Sequence, residues 1–165
     1  MRINDLLKMT VEPDGGECPL LLPMSGTVLP ITEVPDAIFS QRLAGDGFAI
    51  EPSDGDVFSP VNGRVLHLFP AKNGIAILSD EGHEILIHVG VETAALKGEG
   101  FLSYVKTGDV ISSKQLLLSV NLETVRLRAS SLMTSVVFTN LGEKALELKK
   151  FGALAAGTEG VLAIK

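Results

Sequence analysis

The stretch Gly74-Ile-Ala-Ile-Leu-Ser-Asp80-Glu-Gly-His83-Glu-Ile-Leu-Ile-His88-Val-Gly90 constrains the fold more than any other. Two apolar runs of strand length flank Asp80-Glu81-Gly82, a turn signal, and read as an antiparallel hairpin. Folding the chain about Glu81 sets residue 74, within one position, opposite His88, and makes Lys72, Asn73 and Gly74 its neighbours across the sheet. In the second run Ile85, Ile87 and Val89 alternate onto one face, while Glu84, Leu86 and His88 take the other. The first is the natural core face, so His88 stands on the opposite side. Gly90 follows, and a residue without a Cβ there lets backbone approach a ligand closely.

Further short runs rich in Val, Ile and Leu cover residues 26–29, 48–51, 63–69, 115–120, 135–139 and 161–164, separated by Gly, Pro, Asp and Ser. Long 3.6-residue periodicity is missing, and helical turns are expected only at 36–43, 93–96 and 122–129. The expected fold is all-β, an antiparallel β-sandwich with a few short helical turns. Pro23-x-x-Gly26-x-Val28 and Pro60-x-x-Gly63-x-Val65 repeat one pattern, which points to two related β-units. Each Gly is read as permitting a backbone turn or bulge.

Residues 13–19, rich in Gly, acid and Pro, read as a linker, so the chain divides into a tail over 1–19 and a folded domain over 20–165. The apolar residues Ile3, Leu6, Leu7 and Met9 suit a short packing helix; the segment is too short and interrupted for a signal peptide. No apolar run approaches the ~18–20 residues of a membrane span. With 14 Lys and Arg against 20 Asp and Glu, a net charge of −6 and no Trp, nucleic-acid binding is not expected. The single cysteine, Cys18, fits a reducing, cytoplasmic setting. Of the 3 histidines, His67 reads as a partly buried strand residue sharing a face with Val65 and Phe69, and His83 as an exposed turn residue.

Several motifs in order carry a resemblance: Pro23-x-x-Gly26-x-Val28, Val34-Pro35-Asp36-x-x-Phe39, Gly45-Asp46-Gly47-x-Ala49-Ile50, Pro60-x-x-Gly63-x-Val65, Glu84-Ile-Leu-Ile-His88-Val-Gly90 and Lys97-Gly-Glu-Gly-Phe101. From about Leu20 onward the chain resembles the glucose-type enzyme IIA phosphocarriers of the bacterial phosphoenolpyruvate-dependent sugar phosphotransferase system. The resemblance implies a β-sandwich with a duplicated hairpin (hybrid) motif. It implies that His88 takes a phosphoryl group from the phosphocarrier protein HPr and hands it to the IIB domain of a sugar permease. It further implies an apolar docking ring of Ile38, Phe39, Leu43, Phe69 and Leu86 around His88, with Asp36 and Glu92 as acidic flanks toward a basic partner. No cofactor is implied, the membrane is met only through a permease, and a monomer is the default. The chemistry suits the residue, because a neutral imidazole is nucleophilic near pH 7.

One departure falls in the site. Where the family commonly has F-x-T-x-H, this chain has Phe69-Pro70-Ala71-Lys72-Asn73, so Asn73 stands at the second histidine and Ala71 at the supporting threonine. Acceptance at His88 needs only its own lone pair. An amide cannot carry positive charge, so the expectation is uptake with poor onward transfer. Gly90 and nearby N–H groups are candidates to support the phosphate. No metal is expected, since a lone His88 is too few ligands.

A regulatory IIA-like protein would bind partners according to its phosphorylation state. A zinc hydrolase needs a clustered triad that three spaced histidines do not form. A biotinyl or lipoyl carrier, suggested by Thr107-Gly-Asp-Val-Ile111, needs a lysine in a tight hairpin, and Lys97 lacks that setting.

Overall fold

The computed structural model describes residues 19–164. The readings made of residues 1–18, including Cys18, lie outside the described residues. The strands are β1 (Gly26–Pro30), β2 (Asp46–Pro52), β3 (Asp56–Phe58), β4 (Gly63–Leu68), β5 (Gly74–Ser79), β6 (Glu84–His88), β7 (Phe101–Ser103), β8 (Val110–Ile111), β9 (Leu116–Val120), β10 (Thr134–Phe138), β11 (Leu146–Leu148), β12 (Gly152–Leu154) and β13 (Leu162–Ile164). Two short helices, α1 (Ala37–Ser40) and α2 (Leu122–Arg126), and 3-10 turns at Ile31–Glu33 and Thr93–Leu96 complete the described elements. Expectation and structure agree on the class. The sheets pair antiparallel throughout, with an 8-stranded sheet in the order β12-β1-β2-β10-β6-β5-β4-β8 beside a 3-stranded and a 2-stranded sheet.

The repeated P-x-x-G-x-V pattern has a structural counterpart. Gly26 opens β1, which pairs with β2, and Gly63 opens β4, which pairs with β5. Neither glycine sits in the expected turn or bulge. A Cβ on Gly26 would come 2.3 Å from the Glu51 carbonyl oxygen, and one on Gly63 would come 2.0 Å from that of Leu78. Close approach of the neighbouring strand is what demands glycine at both places.

The main core joins all three sheets, with Phe48, Ile50, Ile75, Ile77, Ile85, Ile87, Val136, Phe138, Leu117 and Leu162 among its members. The other face of the large sheet is covered too. Ile31, Val34 and Phe39 lie over Ala49, Val137 and the edge of Leu86 in a second, smaller cluster. This explains β10, whose five residues are all buried: Val136 and Phe138 enter the main core, while Val137 between them enters the second cluster. The α1 segment reaches that face because Asp36 caps it, its carboxylate accepting from the Ile38 N–H at 3.0 Å. His88 belongs to this second face.

Ile87 lies in the main core on the strand that carries His88, fully buried against Val136 and Ile75 across the sheet. Ile87→Val should lower stability by about 0.5–1.5 kcal/mol, read as a shifted urea midpoint with an unchanged slope.

Candidate functional site

The hairpin register is as expected, with Gly74 paired to His88 across β5 and β6. On the other side β10 places Ser135 opposite His88. The imidazole therefore projects from mid-sheet between a residue without a side chain and a small buried one. Phe39 lies against it with ring centroids 5.3 Å apart, and Phe69 meets it edge-on at 6.0 Å. His88 is half-buried in this aromatic setting.

Its Nδ1 lies 3.0 Å from the Gly90 carbonyl oxygen. A carbonyl can only accept, so Nδ1 carries the proton and Nε2 holds the lone pair. Among the described residues no buried side-chain nitrogen or oxygen lacks a partner, so the unpartnered Nε2 reaches solvent. The carbonyl is held in place by the backbone. Gly90 has φ of +73°, and the next residue, Val91, donates its N–H to the Ser131 carbonyl at 2.9 Å. Gly90 thus supplies an orienting acceptor.

Burial lowers the His88 pKa below the ordinary histidine value of 6.5; the Gly90 hydrogen bond and the Asp36 carboxylate act in the opposite direction without overcoming it. The nucleophilic neutral form consequently persists on the acid side of 6.5. For stability the sign follows from the same depression. The contribution is complete above the unfolded value of about 6.5 and is lost as pH falls toward the lower folded value. Asp36→Asn keeps a capping side chain and removes the charge. It should lower the His88 pKa further, moving the acid limb of phosphate uptake to lower pH; NMR titration of the ring checks it.

The other predicted site residues divide into those gathered at the imidazole and those turned away. Phe39 is 5% exposed, so it forms the floor under His88 and not part of an open rim. Ile38 beside it is 51% exposed and Leu43 68%, while Phe69 and Leu86 are half-buried. Asp36 is the acidic group whose charge bears on His88. Glu92 is exposed, with left-handed backbone, and its carboxylate accepts a hydrogen bond from the Ser130 hydroxyl. Asn73 is 2% exposed, and its amide nitrogen donates to Thr93 Oγ1 at 3.1 Å. Sequence reasoning passed over Thr93, which it read only as the start of a turn; its sole signal is a hydroxyl four residues after Val89.

The two other histidines correct the sequence reading. His67 is exposed and not partly buried, because a register shift between Val65 and His67 breaks the alternation. Its ring still meets that of Phe69 at a tilt, with centroids 5.4 Å apart. His83 is half-buried, its ring edge-on to Phe138 at 5.4 Å.

A half-buried histidine anchored at Nδ1 on an antiparallel sandwich suits a histidine phosphocarrier. The family described as "phosphoenolpyruvate-dependent sugar phosphotransferase system, EIIA 1" matches residues 19–144. The glucose-specific EIIA component of Halalkalibacterium halodurans is 42% identical over 144 residues, covering 87% of this chain and 83% of that protein. The glucosamine-specific EIICBA component of Bacillus subtilis is 40% identical over 137 residues, covering 83% of this chain and 22% of the longer protein. The solved structure of glucose permease IIA from Mycoplasma capricolum superposes with a TM-score of 0.83 at 37% identity, covering 90% of this chain and 95% of that one. The chain belongs to the EIIA 1 family of the phosphoenolpyruvate-dependent sugar phosphotransferase system. It is a phosphotransferase component with a phosphocarrier role in sugar uptake. Among the described residues no helix is long and apolar enough to cross a membrane.

Proposed function

We propose that His88 Nε2 accepts a phosphoryl group from the phosphohistidine of HPr and passes it to a IIB domain of a sugar permease. The free, solvent-reaching Nε2 beside an anchored Nδ1 is the observation that carries this reading. In the first step the P–Nε2 bond forms as the donor's P–N bond breaks. The released electron pair returns to the donor imidazole. Such transfers depend mainly on alignment and electrostatic support, which two docked proteins supply. Ile38 and Leu43, exposed on and just after the element that carries Phe39, offer the apolar contact, with Phe69 and Leu86 closing it around the ring. Asp36 and Glu92 give the rim a negative sign suited to a basic partner.

Asn73 stands where the resembling family has its second histidine, and onward transfer is slow for that reason. The amide supplies no positive charge to a departing phosphoryl group. The alternative is a IIA-like regulatory protein whose phosphorylated form is long-lived, favoured by the same buried Asn73 amide turned to Thr93.

Reconstitution with phosphoenolpyruvate, the upstream kinase, HPr and a IIB domain tests the reading. Phosphate appears on the chain quickly and leaves to IIB slowly. Failure to take phosphate from HPr rejects the carrier reading, and rapid discharge rejects the slow-transfer part.

A further inference from the structure

A second ring of contacts surrounds Gly90 that the phosphocarrier reading does not use. Thr93 is completely buried. Its hydroxyl donates to the Val89 carbonyl at 2.7 Å. With its one proton committed there, the hydroxyl can only accept from Asn73. That fixes the flip of the Asn73 side chain: the NH2 faces Thr93. The loop is closed by the backbone, since Val89 N–H donates to the Asn73 carbonyl at 2.7 Å. A Cβ on Gly90 would come 2.6 Å from the methyl carbon of Thr93.

We infer that Thr93 and Asn73 are positioning residues: together they clamp the Val89–Gly90 peptide so that the Gly90 carbonyl stays aimed at His88 Nδ1, committing the proton to that nitrogen and the lone pair to Nε2. Asn73 in this role is a strut and not a phosphate ligand. One of its two N–H groups is committed to Thr93, and its amide oxygen is an acceptor that repels phosphate oxygen. Thr93 touches neither phosphate nor imidazole and acts through Gly90. The consequence for transfer rests on the phosphocarrier reading, but the strut exists in the unphosphorylated chain and is tested there.

The test uses full-length protein carrying 15N-histidine. In the wild type the two ring nitrogens of His88 give the well-separated shifts of a single Nδ1–H tautomer. Thr93→Val removes the hydroxyl at nearly constant volume. The expected result is a convergence of the two shifts toward exchanging tautomers. The titration midpoint of His88 should fall, because the Gly90 hydrogen bond that raises it is loosened. Thr93→Ser restores both readouts, which a purely packing role would not explain. Asn73→Ala moves them in the same direction by less, and it decides the matter if Thr93→Val does not fold. Phosphate uptake from HPr slows on the order of tenfold in Thr93→Val and recovers in Thr93→Ser. Unchanged shifts and titration in a folded Thr93→Val or Asn73→Ala protein overturn the strut. A chain whose shifts respond as described but which never accepts phosphate refutes the phosphocarrier reading alone and leaves the strut standing.

Discussion

Asn73→His speeds discharge of the phosphorylated chain to a IIB domain on the order of 10²-fold, the scale of one well-placed charged donor at a reacting oxygen. Uptake from HPr changes by less than about tenfold, because attack needs only the Nε2 lone pair of His88. The asymmetry follows from the geometry of Asn73. One N–H of its amide is tied to Thr93 Oγ1, and the amide carries no positive charge. An imidazole in its place can keep one N–H on Thr93 and turn its other nitrogen, protonated, toward phosphate. Single-turnover chase of labelled phospho-protein with excess IIB domain reads the rate. Equal rates in the two proteins would mean that position 73 does not limit onward transfer.

Gly90→Ala is the most damaging single-methyl change at the site. The backbone there has φ of +73°, and the added Cβ would lie 2.6 Å from Thr93 Cγ2 and 2.9 Å from the Ser131 carbonyl oxygen. The strained backbone alone costs about 1–3 kcal/mol. Any relief rotates the carbonyl that holds His88 Nδ1. Phosphate uptake should fall on the order of 10²-fold, the usual consequence of losing alignment at a reacting atom. Denaturant unfolding gives the first quantity and rapid-quench labelling the second. A stable variant that labels at the wild-type rate would show that the Gly90 carbonyl does not orient the ring.

The hairpin that carries His88 was readable because its signals agree. A turn tripeptide lies between two apolar runs, and period-2 alternation then fixes the face. The Gly74–His88 register came from counting residues about Glu81. The 3-10 turn at Thr93–Leu96 and the capped α1 segment were legible for similar local reasons. Strands β3, β7, β8, β11 and β12 were not, since none exceeds three residues and alternation needs more length than that to register. Their strand character comes from partners distant in sequence, as when Val57 pairs with Leu118.

The candidate site was legible in its residues more than in their roles. Phe39 and Phe69 both lie against the His88 ring. The period-2 pattern of β6 assigns one face to the core and leaves the other to solvent. The second cluster, built from Ile31, Val34 and Phe39, covers that other face, and nothing in the local pattern of β6 announces it. His67 was misplaced by the bulge after Val65, an insertion that inverts every later assignment on the strand. The strut of Asn73 and Thr93 joins residues brought together by the hairpin and the turn after it, so no spacing rule exposes it.

The central claim is that the imidazole at position 88 is the phosphate acceptor. The most direct measurement exposes the intact chain to phosphorylated HPr and locates the added phosphate by fragmentation mass spectrometry under alkaline conditions, where phosphohistidine survives. The account predicts one phosphorylated residue, His88, with His67 and His83 unmodified and with no incorporation in His88→Gln. Phosphate on any other residue, or undiminished labelling of His88→Gln, would contradict it.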